Sequence, residues 1–106
     1  MEINFGQTLK TLDGTQMQND KKEPLTLRYV CESALLSMDP QAKIGGPEKM
    51  KRYDLARKIH DGKDPVRVDA GEIVTLKEQI GETYLPLVVG QAYKMLEQEV
   101  KPPEEK

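Results

Sequence analysis

Two side chains in this sequence have the chemistry of a catalyst or metal ligand in their own right, the only histidine, His60, and the only cysteine, Cys31. A general base needs a hydrogen-bonding partner in a site that excludes water. His60 is followed by Asp61-Gly62-Lys63-Asp64, the composition of a solvated helix end. A histidine in a last turn also suits the helix dipole, so the structural reading is favoured. A nucleophilic cysteine needs its pKa lowered by a helix N-terminus or a neighbouring base. Cys31 falls in the middle of an apolar stripe, where cysteine behaves as a small hydrophobe.

Three aspartates within Asp61–Asp69 raise the question of a calcium loop. An EF-hand needs oxygen donors at loop positions 1, 3 and 5 and glycine at 6. Counted from Asp61, position 3 is Lys63 and position 6 is Val66, and Arg67 adds another cation. Gly45-Gly46-Pro47 precedes a helical run, yet no G-x-x-x-x-G-K-S/T spacing follows, so the loop reads as a turn and cap. Gly6, Gly81 and Gly90 make no dinucleotide fingerprint. One His and one Cys cannot build a His/Cys zinc site without several carboxylates. The expectation is therefore no metal, no cofactor and no enzyme.

The elements that would position these residues form three blocks. From Met1 to about Met17, alternating Ile3 and Phe5, a short run at Thr8–Leu12 and an Asp13-Gly14 turn signal read as a β-hairpin over about 3–17. Gln18 to Pro24 reads as an exposed loop, and no internal repeat is evident. Next, Leu27, Val30, Cys31, Ala34, Leu35 and Met38 line one face of a helix over about 27–38, with Thr26 as N-cap. A second helix, about 47–61, starts at Pro47 and ends at Gly62, with Met50, Tyr53, Ala56 and Ile59 as its apolar stripe and Leu55 flanking. Pro65–Val68 is a short extended run. Asp69 and Glu72 form a capping box for a helix over about 70–83, striped by Ile73, Leu76, Ile80 and Tyr84. Pro86 forces a break, and a last helix runs over about 86–98. Residues 99–106 read as a disordered, Pro-rich tail. The fold class is α+β and mainly helical, one domain over 1–98, with a small N-terminal β-hairpin packed on three to four helices.

Composition limits the function classes. The chain has 106 residues and a formal charge of −2, which gives no global pull toward nucleic acid or acidic membranes. One cysteine cannot form an intramolecular disulfide. The start of the chain lacks the basic and apolar regions of a signal peptide, and no stretch is long enough to cross a membrane, so a cytoplasmic protein is expected. At this size a monomer is expected to be stable by only about 3–5 kcal/mol, and a partner would add to that.

The near-zero net charge conceals a gradient. Residues 43–67 hold eight basic and four acidic side chains, a net of +4, between flanks of −2 (residues 1–42) and −4 (residues 68–106). Lys49, Lys51, Arg52 and Lys58 make a basic face on the second helix. That face suits phosphates, or equally the acidic helices of its own fold or of a second copy; a solvated or self-pairing face is favoured. Leu85, Leu87, Val88 and Val89 are too nearly contiguous for one helix face, which makes them the candidate partner-binding group or, equally, marks a central helix buried on several sides.

The segments "TLDG", "LTLRYVCESALL", "KRYDLARKIHDG" and "YLPLVVGQAYKMLE" stand in an order that resembles small uncharacterised proteins encoded by tailed bacteriophages and prophages, over about residues 3–97. The resemblance implies a bacterial or phage source, placing the protein in the host cytoplasm. It also implies a non-enzymatic role in virion or tail assembly or in host-factor binding. The function expected is thus an accessory or assembly protein acting through protein–protein contacts, with itself among the candidate partners. The alternative is a nucleic-acid-binding regulator using the basic helix at 49–58. A small enzyme or nuclease is a distant third.

Overall fold

The computed structural model describes residues 1–37 and 43–98. Met38, the last position of the first apolar stripe, and the tail 99–106 lie outside the described residues. The elements are β1 (Glu2–Ile3), α1 (Leu27–Leu36), α2 (Gly46–Asp61), β2 (Val66–Arg67), α3 (Ala70–Thr83) and α4 (Pro86–Leu96). The fold is α+β and mainly helical, with a small β component packed on four helices.

The central element is α1. Its stripe of Leu27, Val30, Cys31, Ala34 and Leu35 is buried, and the helix packs on α2 and on α3, with a smaller contact to α4. Thr26 caps it, its hydroxyl accepting from the Tyr29 N–H at 3.1 Å. In α3 the capping box is formed: the Glu72 N–H donates to Asp69 Oδ1 at 2.7 Å and the Asp69 N–H to Glu72 Oε1 at 2.9 Å. Pro86 sits in the first turn of α4, where its missing N–H costs nothing. Buried apolar side chains from every element meet in one core, and each fully buried Leu, Ile or Val contributes about 1.5–3 kcal/mol.

The named strands pair across the length of the chain. Glu2 stands opposite Arg67 and Ile3 opposite Val66, antiparallel. The extended run read at Pro65–Val68 is therefore the partner of the first residues, burying Val66 and Val68.

The Asp13-Gly14 turn closes a hairpin, with a bridge between Lys10 and Gln16 and the Thr11 N–H donating to the Thr15 carbonyl at 2.8 Å. Gly14 takes φ 92°, a conformation open to glycine at little cost. Asp13 accepts from the Thr11 hydroxyl and the Thr15 N–H, which hold its carboxyl below the usual carboxylate range.

Eight residues on, the same pattern recurs. The Asn19 N–H donates to the Glu23 carbonyl at 2.8 Å, and Lys22 takes the positive φ of 63° that Gly14 takes in the first turn. The two turns are joined by a ring of hydrogen bonds. The Leu9 N–H donates to the Leu25 carbonyl (2.8 Å), Leu25 to Met17 (2.8 Å) and Met17 to Leu9 (2.9 Å). The segment 18–24, read as a plain loop, is thus the second unit of an eight-residue structural repeat. The repeat escapes a sequence comparison because only Leu9, Met17 and Leu25 match in character, while Thr11 is replaced by Asn19 and Gly14 by Lys22.

Candidate interaction surface

The residues with intrinsic chemistry are held in structural work. Cys31 is fully buried, and burial, with the Glu32 carboxylate adding to it, pushes its thiol pKa up, away from the reactive thiolate. His60 is exposed at the end of α2, with Nδ1 3.1 Å from Glu32 Oε2 on α1.

Each aspartate of the acidic loop has a partner. Asp61 pairs with Arg57 at 3.2 Å, and Asp69 caps α3. Asp64 Oδ1 accepts from the Phe5 N–H at 2.8 Å and from Arg28 Nη2 at 2.9 Å, while Arg28 Nη1 donates to Asp64 Oδ2 at 3.2 Å. Arg28 also donates from Nε to the Ile59 carbonyl (2.9 Å) and from Nη2 to the Gly62 carbonyl (3.3 Å). One guanidinium therefore ties α1 to the C-terminal end of α2, and through Asp64 to the first segment. Among the described residues no group of three or more His, Cys, Asp or Glu side chains is placed to hold a metal ion.

The basic face of α2 is divided between two environments. Lys51 and Lys58 line a cleft of about 460 Å³ whose other walls include Glu48, Asp54, Asp69 and Glu72. Lys58 Nζ is 2.9 Å from Glu72 Oε1, bridging α2 to α3. Arg52 and Lys49 lie along a different groove, Arg52 bonded to Glu48 at 3.3 Å.

The terminal apolar group is divided as well. Val88 is buried in the core, Leu87 and Val89 are partly buried, and Leu85, the N-cap of α4, is 78% exposed. α4 is held from outside the helical layer by Gln91. Its side-chain amide accepts from the Lys10 N–H (2.8 Å) and donates to the Lys10 carbonyl (2.7 Å), pairing with the hairpin as a strand would. Tyr93 donates its hydroxyl to the Lys77 carbonyl at 2.7 Å. Gly81 leaves room for that hydroxyl, since a Cβ there would lie 2.8 Å from it.

The stripe read for α2 needs correction. Leu55, Ala56 and Ile59 are buried, but Met50 is 56% and Tyr53 49% exposed. At about 100° per residue, repeated steps of three fall behind, and Met50 ends about 180° from Ile59. Leu55, Ala56 and Ile59 instead fall within about 100° of one another and face α1.

Tyr53 meets Leu36, the last residue of α1 and 60% exposed, in a surface formed by the two helices. One groove of about 160 Å³ is lined by Leu35, Leu36, Ile44, Lys49, Arg52 and Tyr53. An adjoining groove of about 320 Å³ shares Leu36 and Tyr53 and adds Glu32, Ala56, Arg57 and His60. Met50 lies one turn before Tyr53 on the same exposed side. Exposed apolar side chains gathered around a groove and rimmed by charge have the composition common at contact surfaces. Apart from Lys49 and Arg52, sequence reading missed this surface. The angular drift of Met50 and Tyr53 away from Ile59 was the signal that could have found it.

Among the described residues no helix is long and apolar enough to cross a membrane. Comparison of the chain with protein-family models, with curated proteins and with solved structures finds no match.

Proposed function

We propose that the protein is a non-enzymatic accessory or assembly protein of tailed phages or prophages, acting in the host cytoplasm through protein–protein contacts. The observation that carries this reading is the α1–α2 surface. Leu36, Ile44 and Tyr53 line one groove there, with Lys49 and Arg52 at its rim. Tyrosine and arginine, both present at this patch, are among the side chains in which binding hot spots are enriched. The phage source rests on the resemblance of residues 3–97 to small tailed-phage proteins.

The regulator reading draws less support. Arg52, Arg57 and Lys58 are each engaged by a carboxylate of the same chain, and Lys51 lines a cleft with Glu48, Asp54, Asp69 and Glu72. Cations so neutralised release few counterions on meeting a phosphate backbone.

Deleting the gene from an inducible prophage that carries it tests the proposal. Complete tailed particles, counted by electron microscopy after induction, are expected to fall. Wild-type protein supplied in trans is expected to restore them, and the Leu36→Asp/Tyr53→Asp double variant is not. An undiminished particle yield in the deletion strain would overturn the assembly role.

A further inference from the structure

A second exposed face complements the α1–α2 groove. On α3, Val74, Glu78 and Glu82 follow at intervals of four, a spacing that sets them along one side of the helix, and Leu85, the N-cap of α4, stands beyond the end of α3 at Thr83. All of them are exposed, Val74 at 55% and Leu85 at 78%. Among the described residues neither Glu78 nor Glu82 takes part in an ion pair. The face therefore presents two uncompensated carboxylates between two apolar ends. The groove presents the converse at one position: Lys49 makes no ion pair among the described residues and lies beside Leu36, Ile44 and Tyr53, while Arg52 in the same lining is already bonded to Glu48 at 3.3 Å.

We infer that the occupant of the groove is the α3 face of a second copy of this chain. The inference rests on the contact reading above and names its partner. Glu78 and Glu82 meet Lys49 and Arg52, and Val74 and Leu85 cover the exposed Leu36 and Tyr53. Packing groove against groove about a two-fold axis would bring the unpaired Lys49 of each copy together and leave Glu78 and Glu82 without a partner, and like charges in contact disfavour such a pairing. The complementary faces sit on different helices, so the contact is head-to-tail. Each association leaves one groove and one acidic face open, and further copies add to form a ring or a filament.

The test uses the full chain and two double variants. Lys49→Glu/Tyr53→Asp spoils the groove and leaves the α3 face intact. Glu82→Lys/Leu85→Asp spoils the α3 face and leaves the groove intact. In sedimentation velocity across a concentration series, the wild type is expected to grow in mass with concentration and to shrink with added salt, because the pairing is charge-assisted. Each variant alone is expected to remain monomeric, with association weakened about a hundredfold or more. Their equimolar mixture is expected to associate, since the intact α3 face of one variant meets the intact groove of the other. Circular dichroism confirms that each variant is folded, and the single variants Lys49→Glu and Glu82→Lys stand in for either double variant that is not. A wild type that stays monomeric overturns the inference, as does assembly that survives in either variant or a mixture that fails to associate. The particle-yield assay reads the assembly role without reference to self-association, so one reading can fail while the other stands.

Discussion

Helices α2 and α4 both read as amphipathic, and the protein uses them in opposite ways. In α4, Val88, Ala92 and Leu96 recur every four residues and are buried, with Val89, Tyr93 and Met95 packed at the core margin. In α2 only Leu55, Ala56 and Ile59 are buried, and Met50 and Tyr53 face outward. The difference lies in their neighbours. α4 rests on α3 and α1 and is clasped by the Lys10 backbone, so it is covered on several sides. α2 packs chiefly on α1, and among the described residues Met50 and Tyr53 on its outer side are left exposed. An apolar run can be absorbed when enough elements surround it. A sparser stripe is left exposed when one neighbour must serve the whole helix.

Substitutions at the two helices should separate these roles. Val88→Asp should have the largest effect, about 3 kcal/mol or more, because it places a carboxylate in the core, and at this chain's expected stability it should leave much of the protein unfolded by circular dichroism at room temperature. A folded, cooperatively melting Val88→Asp protein would show that α4 is not buried as described. Arg28→Ala comes next. It releases the end of α2 from α1 and strips Asp64 of its cation, which should lower the urea-unfolding free energy by about 2 kcal/mol. A loss below about 0.5 kcal/mol would mean that apolar packing alone holds α2 in place.

Gln91→Ala should cost about 1 kcal/mol in the same measurement, since it removes two hydrogen bonds to an exposed strand whose groups water can still satisfy. Glutamate at that position keeps the acceptor but loses the donor, so Gln91→Glu should fall between wild type and alanine. Tyr53→Asp should change stability least, within about 0.5 kcal/mol, as expected for a surface position. A large loss from Tyr53→Asp would erase the contrast between the two helices and return Tyr53 to the core.

Much of the helical layer was legible because local signals agreed with one another. Thr26 before a stripe of period 3.6, Asp69 paired with Glu72, and Pro86 after Tyr84 each fix a helix end through chemistry that lies within a few residues. The α2 stripe was misread because a three-residue spacing resembles helical periodicity over two turns and departs from it over three. The turn at Lys22 was not legible, because lysine gives no hint of a positive φ, whereas glycine at the matching position announces it.

The candidate surface was the least legible part. Lys49 and Arg52 were picked out for their charge, but whether a cation is available depends on which carboxylates, on its own helix or on another, reach it. Glu72 reaches Lys58 from α3, and Glu48 meets Arg52 one turn away. Arg28 gave no signal at all, since its partners Asp64, Ile59 and Gly62 lie more than thirty residues away along the chain.

By itself, then, the sequence determined where the helices begin, that α1 carries a buried stripe, and that a basic middle lies between acidic flanks. All of these follow from periodicity, capping and charge order over short stretches of chain. α1 and α4 end at Leu36 and Leu96, two residues earlier than the sequence reading placed them. The tertiary structure alone decided that the first residues pair with the strand at 66–67, that one arginine holds three segments, and that Tyr53 is exposed while Val88 is not. Those outcomes depend on which surfaces meet. A helix specifies only its own faces, and burial is set by how many neighbours arrive to cover them.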